Sequence, residues 1–319
     1  MIKASSMGRY LLRRALGAIP LLVGVTLLSF IITQGLGTDP VWELAGRNPT
    51  SAEINELQAQ LGRDRSWLMQ YVDYLSGLPR LELGHSLMTG ESVRSLLIRS
   101  VPVTLALMVP GLVIGIVLAM VLGYLAARWK GRGLDRLISS ISTVGMSLSL
   151  VIVVMLCQMV FSVWLAWFPA RGWSTETLYQ WLLHVTVPTI IVIMINLGHN
   201  VRFFRGLWVE GLNLPAVQSA RAFGLPEVSI FRRRLLPWAI GPIMTRLVFA
   251  IPILLFSGSL VIESHFGIPG VGRVFYNAIL SGDQPVVLAV VALASVLVVV
   301  ALTIVDASVR WFDPRVRLS

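Results

Sequence analysis

Histidines, one cysteine and clustered arginines are the residues of this 319-residue chain that could carry chemistry. Metal sites need ligands at short, regular spacings, and His85, His184, His199 and His265 are too scattered to provide them. Cys157 lies in an apolar run, which predicts a packing role. No G-x-x-x-x-G-K-[ST] phosphate loop occurs, and no nucleophile and base stand at a useful spacing. The sequence therefore predicts a chain with no catalytic site and no metal or cofactor of its own.

The least hydrophobic stretch of the C-terminal half is Val217 to Pro237, VQSARAFGLPEVSIFRRRLLP. Asn213 is a good N-cap and Pro215 is tolerated in a first turn, so we expect a helix to begin there. Gly224 is expected to end this helix in a left-handed conformation. The helix has little side-chain bulk, because it contains Ala216, Ser219, Ala220 and Ala222.

A second short helix is predicted to start at Pro226, with Val228, Phe231 and Leu235 on one face. Small side chains in the first helix would let the backbone of a partner come close, which predicts a docking surface. The alternative is an interfacial helix whose arginines, Arg232–Arg234, rest on anionic lipid. The two interpretations are compatible, since the arginines could anchor while the first helix docks.

The elements that hold this loop are predicted to be membrane helices. The mean hydropathy is +0.78 and only 13% of residues are charged, whereas about a quarter are charged in soluble domains. We expect an all-α integral membrane protein with six transmembrane helices. A cleaved signal peptide is a poorer explanation of the first span, because the apolar run is long and no A-x-A site follows it. The predicted spans are about residues 12–36, 101–127, 138–166, 178–201, 238–262 and 285–308.

Basic residues indicate the orientation of these spans. They are concentrated at the two termini and in the second and fourth connections, whereas the third and fifth connections carry only Arg171 and Arg273. Because positively charged loops stay in the cytoplasm, both termini are predicted to be cytoplasmic. The net charge of +10 is then explained by arginines that face an anionic leaflet, so nucleic acid is not an expected partner.

The connection between the first two spans, residues 37–99, is predicted to be an extracytoplasmic insertion. Thr50 or Ser51 can cap a helix that ends at Gly62, as in a capping box. We expect a small helical subdomain that docks a partner or covers a substrate path, the alternative being a linker. The apolar residues at helical spacing are Ile54, Leu57 and Leu61.

The loop resembles the cytoplasmic coupling loop of permease subunits of bacterial ATP-binding-cassette importers, whose pattern is E-A-A-x(3)-G-x(9)-I-x-L-P. The glycine of that pattern matches Gly224, its second alanine matches Ala220, and its Leu-Pro matches Leu236 and Pro237. These positions keep the spacing of the pattern.

The sequence departs from the pattern at Gln218, Ser219 and Arg234, which replace the glutamate, the first alanine and the isoleucine. The segment ARAFGL is similar to the ARAKGL form of the peptide, opine and nickel branch, which often lacks that glutamate. Nearly the whole chain resembles the first permease subunit of this dipeptide/oligopeptide/nickel branch. The resembling segments include YLLRRALGAIPLLVGVTLLSFIIT, LGRDRSWLMQYVDYLSGL, SVPVTLALMVPGLVIGIVLAMVLGYLAA and VIESHFGIPGVGRVFYNAILSGDQPVV.

The resemblance implies the type I importer permease fold in the bacterial inner membrane and a set of partners. These are a paralogous second permease subunit in a heterodimer, two cytoplasmic ATPase subunits that bind ATP and Mg, and an extracytoplasmic solute-binding protein. Gly224 would permit a bend, Ala220 and Ala222 close docking, and Arg221 or Glu227 a pairing with ATPase charges. The implied coupling loop is residues 205–237. Its contact residues would be Pro215, Ala216, Gln218, Ser219, Ala220, Arg221, Ala222, Phe223, Gly224, Leu225, Glu227, Leu236 and Pro237.

Three charged or titratable residues outside the loop are candidates for the transport pathway. Glu263 and His265 follow the fifth span, where they could gate the pathway or contact substrate, or could simply sit in water at a helix end. Arg246 lies inside the fifth span, where charge is costly. It could face a channel, although packing or snorkelling to the cytoplasmic surface is the preferred interpretation.

Peptides are the predicted cargo, with nickel, opines and other small solutes left as alternatives. The chain itself is expected to be a non-catalytic permease that forms half of the pathway and works by alternating access. An ATP-independent secondary transporter is disfavoured, because such proteins place coupling carboxylates near the membrane midplane. Among the predicted spans, only the sixth contains an acidic residue, Asp306, near its cytoplasmic end.

Overall fold

The structure is a computed structural model that describes residues 4–36, 49–60, 65–253, 256 and 258–312. These residues are helical or lie in turns, and their sole β-bridge joins His85 to Ser92. The expectation of an all-α chain is therefore confirmed for this part. The helices are α1 (Ala4–Leu36), α2 (Ser51–Gln60), α3 (Trp67–Gly77), α4 (Val93–Arg128), α5 (Gly133–Ser147), α6 (Leu150–Gln158), α7 (Leu178–Leu212), α8 (Pro215–Ala222), α9 (Glu227–Ile230), α10 (Leu236–Ile253), α11 (Ser259–Phe266), α12 (Val271–Leu280) and α13 (Gln284–Phe312).

Within the described residues, four helical segments are long and apolar enough to cross a membrane. Helices α5 and α6 could form a fifth span, but the pair bends by 101°. The sequence predicts six spans, and α1 contributes a shorter apolar stretch, Ile19–Gly35. The bend was not predicted, because neither glycine nor proline occurs at Leu148 and Ser149, where the chain is extended. The four segments are Val93–Arg128, Leu178–Leu212, Glu227–Pro252 and Gln284–Val305.

The predicted coupling loop, residues 205–237, includes the end of one long helix and the start of the next. Helix α7 continues to Leu212, and a helical segment runs from Glu227 through a π-helical turn, Phe231–Leu235, into α10. Charged residues show where a span meets water, but a helix can continue beyond the bilayer. Helix α7 has 35 residues and is about 52 Å long at 1.5 Å per residue, whereas the hydrocarbon core is about 30 Å thick.

Two compact units divide the chain. The first contains the described residues of 1–103 and 269–303, and the second those of 104–268 and 304–319. In the first unit, the predicted capping box is confirmed, since the Thr50 N–H donates to Glu53 Oε2 at 2.9 Å and the Glu53 N–H to Thr50 Oγ1 at 3.4 Å. Gly62, the predicted end of this helix, lies outside the described residues.

Also in the first unit, a turn that follows α3 is fastened to the start of α13. Asp283 is 3% exposed and accepts hydrogen bonds from Ser86 Oγ at 2.5 Å and from the Leu87 N–H at 3.2 Å. The expectation of a packed segment within residues 37–99, rather than a linker, agrees with these contacts for residues 65–99. Residues 37–48 lie outside the described part.

In the second unit, close helix contacts hold the parts that support the loop. A Cβ atom at Gly198 of α7 would lie 2.7 Å from the Ser142 carbonyl oxygen of α5, so only glycine allows this approach. Asp135, at the start of α5, accepts two hydrogen bonds from Arg205 of α7, at 2.6 Å from Nε and 2.8 Å from Nη2. Helices α5 and α7 are thus joined by backbone contact and by an ion pair.

Candidate functional site

The candidate site is the segment Asn213–Leu235, which we call the two-helix loop. Helix α7 ends at Leu212, and Asn213 closes it, because the Asn213 side-chain amide donates to the Val209 carbonyl at 2.9 Å. The predicted N-cap role of Asn213 is therefore wrong. Leu214 occupies the N-cap position of α8 without a side-chain hydrogen bond, and Pro215 opens the helix as predicted. Two residues therefore suffice to connect α7 to α8.

Gly224 forms the predicted left-handed helix end, with φ of +72°. The Gly224 N–H donates to the Arg221 carbonyl at 2.9 Å, and the Leu225 N–H donates to the Ala220 carbonyl at 3.2 Å. These two bonds are those of a Schellman motif, in which glycine is favoured because a Cβ atom is strained at positive φ. No heavy atom lies within 4 Å of a Cβ built at Gly224, so the requirement for glycine is conformational rather than steric.

The second helix of the loop differs from its predicted face. Val228 is 71% exposed, whereas Leu235 is 1% exposed, so the two do not share a buried face. Ile230, at 2% exposure, takes the inner position instead. The π-helical turn Phe231–Leu235 adds a residue to one turn and rotates the following side chains, which a regular helical spacing cannot anticipate.

The inner face of the loop is a small apolar core. Val217, Ala220 and Ile230 are at most 5% exposed and pack together, with Leu214 against them. Ala220 was expected to admit a partner, but the structure uses its small side chain to let α8 pack on the second helix. The small residues of α8 that remain exposed are Ala216, Ser219 and Ala222.

The outer face of the loop presents apolar side chains to solvent. Phe223 is 85% exposed, Leu225 46% and Val228 71%, and we call these three residues the apolar tip. The other predicted contact residues divide between exposed and half-buried positions. Pro215, Gln218, Arg221, Gly224 and Pro237 are exposed, while Glu227 and Leu236 are half-buried.

Arg221 and Glu227 pair with each other across the turn. Arg221 Nε donates to Glu227 Oε1 at 2.8 Å, and Nη2 donates to Oε2 at 3.2 Å. This two-point geometry fixes both side chains beside the apolar tip. The expectation that either residue pairs with an ATPase charge therefore requires that the internal pair opens or is shared.

An aromatic cluster attaches the loop to the long helices. Trp208 is fully buried and its indole N–H donates to the Met120 carbonyl at 3.1 Å. The centre of the Tyr124 ring lies 5.1 Å from the centre of the Phe231 ring and 6.2 Å from that of the Trp208 ring. The centres of the Phe231 and Trp208 rings are 5.5 Å apart. Nearby, a Cβ atom at Gly211 would meet the Leu235 side chain at 2.5 Å. Sequence reasoning missed this cluster, because its members are ordinary apolar residues far apart in sequence.

The predicted Glu263 and His265 lie in a separate polar region. We call Gln158, Arg171, Glu263 and His265 the polar joint. His265 Nε2 lies 2.6 Å from Gln158 Oε1, and since a carbonyl oxygen only accepts, Nε2 carries the proton. The Gln158 amide donates to the Ala170 carbonyl at 2.7 Å, and Arg171 Nε donates to the His265 carbonyl at 2.8 Å. The loop that follows the π-helical segment Met159–Trp164, which continues α6, is thereby tied to α11.

Burial changes the character of the two predicted residues of the polar joint. Glu263 is 0% exposed, so it does not sit in water at a helix end as one interpretation supposed. Burial, and to a smaller extent the charge of Arg171, lower the pKa of His265 below its ordinary value. A tight turn follows these two residues, because Gly267 ends α11 with φ of +73° and the Ile268 N–H donates to the Glu263 carbonyl at 2.9 Å.

Arg246 is held by its neighbours in the second unit. Its Nε donates to Asn200 Oδ1 at 2.9 Å, and Asn200 is 2% exposed. The guanidinium carbon also lies 5.4 Å from the centre of the Phe203 ring, within the range of a cation–π contact. These contacts favour the packing interpretation of Arg246.

No group of three or more His, Cys, Asp or Glu side chains is close enough to hold a metal ion in the part of the chain that the structure describes. Cys157 is buried at 6% exposure, with Sγ 3.8 Å from Met194 Sδ. Neither the two-helix loop nor the polar joint contains a nucleophile beside a base. Their geometry suits binding and mechanical connection.

Comparison with known proteins agrees with the family resemblance that the sequence indicated. The family described as "binding-protein-dependent transport system inner membrane component" matches residues 119–318, and the family described as its N-terminal membrane component matches residues 7–108. A putative peptide permease protein of Brucella suis is 31% identical over 98% of this chain and 99% of its own length. The oligopeptide transport system permease protein AppB of Bacillus subtilis is 28% identical over 97% of this chain and 99% of its own length.

Among solved structures, an inward-facing form of the MetNI methionine ABC transporter is similar, with a TM-score of 0.53 and 20% identity. The match covers 67% of this chain and 96% of that one, and it concerns the fold alone. The family resemblance that the two-helix loop and the flanking segments indicated is confirmed by these findings. The chain belongs to the family of inner membrane components of binding-protein-dependent transport systems.

Proposed function

We propose that this chain is the permease subunit of an ATP-binding-cassette importer for di- or oligopeptides and forms half of the translocation pathway. The relatives named as peptide and oligopeptide permeases, which align over nearly the whole chain, support a peptide cargo. The permease is a non-catalytic subunit. The second half of the pathway is contributed by a related permease, and a solute-binding protein delivers the cargo.

The exposed apolar tip is the observation that supports coupling to ATPase subunits. Large apolar side chains seldom project into water from a well-packed loop unless a partner covers them. Phe223 projects at 85% exposure while the residues directly beneath the loop are almost fully buried. In this proposal, two cytoplasmic ATPase subunits, which bind ATP and Mg, each contact one permease, and this chain offers Phe223, Leu225 and Val228.

The packing of the two-helix loop supports a lever-like movement. The Schellman turn fixes the angle between its helices, and the aromatic cluster joins Phe231 to Trp208 and Tyr124. A displacement of the tip would therefore move α4 and α7 with it, since close-packed cores transmit strain. Alternating access of the pathway would follow from this movement.

The orientation proposed from the basic residues places the two-helix loop and both termini in the cytoplasm of a bacterium. Arg232, Arg233 and Arg234 are exposed on the π-helical turn, where they would face the anionic leaflet. The polar joint then lies on the opposite side. His265 is proposed to hold the outer end of the pathway through its contacts with Gln158 and Arg171, the buried Glu263 to belong to the same end, and Arg246 to pack within the bundle.

The experiment that tests coupling is co-purification of the tagged chain from membranes with its partners, for wild type and Phe223→Ser. Loss of one interface hot spot costs about 2 kcal/mol or more, so the affinity of the ATPases for Phe223→Ser should fall about 30-fold and less ATPase should be recovered with it. Arg233→Ser, an exposed change on the same loop outside the tip, is the matched control and should retain them. Equal recovery from Phe223→Ser and wild type would refute docking through the tip.

The cargo is tested separately by uptake in a strain that lacks its own peptide importers. Labelled di- and oligopeptides should accumulate when the whole transporter is expressed. Accumulation of nickel or an opine, with no peptide uptake, would leave the importer function in place and overturn the peptide assignment. Uptake that persists without the ATPase subunits would instead indicate a secondary transporter.

A further inference from the structure

Helix α3 (Trp67–Gly77) has an exposed apolar side that the proposed function does not use. Leu68 and Val72, four residues apart and thus on one face, are each 55% exposed. Met69 is 55% exposed and Trp67 47% exposed. We call Leu68 and Val72 the apolar flank, since Met69 and Trp67, four residues before Asp73 and Tyr71 respectively, lie on other faces. The side chains of Trp67, Leu68, Met69 and Val72 carry no charge.

The opposite side of α3 packs on α1. The Tyr71 hydroxyl donates to the Val23 carbonyl at 2.7 Å and lies 3.0 Å from Thr26 Oγ1. The Tyr71 and Phe30 ring centres are 5.4 Å apart. Towards the end of α1, Gln34 Nε2 donates to Gln70 Oε1 at 3.1 Å. The contacts therefore run from Val23 to Gln34 along α1.

This contact region lies inside the apolar stretch of α1, Ile19–Gly35. At 1.5 Å per residue, Val23 to Gln34 extends about 17 Å, roughly half the thickness of a 30 Å hydrocarbon core. A helix that packs beside this part of α1 lies at the depth of acyl chains on any side that protein does not cover. The neighbouring side chains of α1 are themselves exposed, with Leu28 at 60%, Ile31 at 50% and Ile32 at 47%.

A second membrane helix gives a similar position for α3. The Tyr74 hydroxyl donates to the Leu288 carbonyl at 3.0 Å, and Leu288 lies only about 6 Å along the axis from Gln284, where the apolar part of α13 begins. Tyr71, Phe30 and Leu288 form one buried cluster. Helix α3 is thus fixed near one surface of the membrane by two separate helices.

The third side of α3 is polar. Asp73 pairs with Arg65 at 3.2 Å, and both side chains are more than half exposed. Asp73 directly follows Val72, so about 100° of rotation separates Asp73 from Val72, and Asp73 shares its face with Met69 rather than with the apolar flank. A helix with one apolar side, one charged side and satisfied backbone bonds is suited to the boundary between acyl chains and water.

We propose that the apolar flank of α3 is covered by lipid acyl chains, so that α3 is an interfacial helix set into the bilayer beside α1. The packing of α3 beside the apolar stretch of α1, Ile19–Gly35, favours lipid over a soluble protein as the occupant. The consequence is that residues 65–77 are anchored to the membrane surface and do not move freely with a bound partner. This inference rests on the membrane-embedded family and not on the cargo.

Spin labels measure the proposal directly in the assembled transporter, reconstituted in nanodiscs of phosphatidylethanolamine and phosphatidylglycerol. Cys157, the single cysteine of this chain, is replaced by alanine, and that background complex gives the labelling blank. Val72→Cys and Leu68→Cys report the apolar flank, and Asp73→Cys is the adjacent control. Collision with oxygen, which concentrates in lipid, is compared with collision with a water-soluble nickel chelate.

Labels at positions 72 and 68 should collide several-fold more with oxygen and several-fold less with the nickel chelate than the label at position 73. Preference for the nickel chelate at positions 72 and 68 would show a flank in water and overturn the proposal. Low collision with both reagents would show that a protein subunit covers the flank, which also overturns it. Neither failure would affect recovery of the ATPases through Phe223, so the two proposals are tested independently.

Discussion

Two helix ends of this protein use the same backbone device for different purposes. Gly224 and Gly267 both follow a helix with φ near +70°, at +72° and +73°. Around Gly224 a Cβ would meet no atom within 4 Å, and Phe223 and Leu225 project into solvent. Around Gly267 the neighbours Phe266 and Ile268 are 2% and 0% exposed. The turn itself therefore does not define function, and the burial of its neighbours decides whether it offers a surface or closes a joint.

The two-helix loop and the polar joint are also stabilised by different kinds of contact. The two-helix loop depends on contacts beneath it, namely the Asp135–Arg205 pair and the aromatic cluster of Trp208. The polar joint is held by hydrogen bonds between His265 and Gln158 and between Arg171 and the His265 carbonyl, which tie α11 to the end of α6 and to the loop that follows. This difference predicts which substitutions affect stability and which affect only coupling.

The largest loss of stability is expected from Asp135→Ala, beneath the two-helix loop. Asp135 is 4% exposed and its partner Arg205 keeps only 30% side-chain exposure, so the change leaves a largely buried charge without its carboxylate. Removal of one partner of a buried pair should cost on the order of 2 kcal/mol or more. The unfolding temperature of the purified complex is the measurement. Arg136→Ala, the exposed neighbour, should leave it almost unchanged, and a similar drop in both would contradict the role of the pair.

The next prediction compares Gly267→Ala with Gly224→Ala. Each places a Cβ at positive φ, at a cost of about 1–2 kcal/mol. The exposed turn at Gly224 can relax, because water can replace its hydrogen bonds, whereas the buried turn at Gly267 cannot. We expect Gly267→Ala to lower the unfolding temperature more, and Gly224→Ala to reduce ATP-dependent uptake more. If Gly224→Ala instead lowered the unfolding temperature more and Gly267→Ala reduced uptake more, the proposed difference between the exposed turn and the buried turn would be wrong.

A pH dependence of stability is expected from the polar joint. Because the pKa of His265 is lowered in the folded protein, the unfolded chain binds a proton first as the pH falls. The contribution of His265 is therefore fully present above the ordinary histidine pKa of about 6.5 and decreases as the pH falls towards the folded value. Unfolding temperatures of wild type and His265→Gln, measured from neutral to mildly acidic pH, should diverge in slope. Parallel curves would show that His265 does not contribute.

The smallest effect is expected from the Arg221–Glu227 pair, because the Arg221 side chain is 39% exposed and the Glu227 side chain 34%. Exposed pairs contribute about 0.2–1 kcal/mol. Arg221→Gln and Glu227→Gln should each weaken ATPase recovery slightly, and exchange of the two residues should restore it if their role is to fix the tip. Failure of the exchange, with one single variant far more severe, would assign that residue to a direct ATPase contact.

Several features were predictable because their causes are local. The capping box of Thr50 and Glu53 and the left-handed Gly224 each depend on a few consecutive residues. The family was recognisable from motifs such as ARAFGL and the final Leu-Pro of the loop, confirmed by matches over residues 7–108 and 119–318.

Other features were mispredicted because distant residues decide them. Asn213 ends one helix instead of starting the next, since α7 extends past the arginines that mark the membrane surface. Val228 and Leu235 do not share a face because a π-helical turn shifts the register between them. The bend of 101° between α5 and α6 has no glycine or proline at the break itself, which is Leu148 and Ser149.

The sequence by itself determined that this chain is a helical membrane protein of a known transport family, and where its principal loop turns. Hydropathy, capping residues and glycine conformations act within a few residues, so the sequence displays them. Only the tertiary structure decided which side chains meet: Arg205 with Asp135, Arg246 with Asn200, and α3 with the apolar part of α1. These contacts join residues 36 to 70 positions apart, and the apolar runs that bring them together are too uniform to reveal which face of each helix is buried.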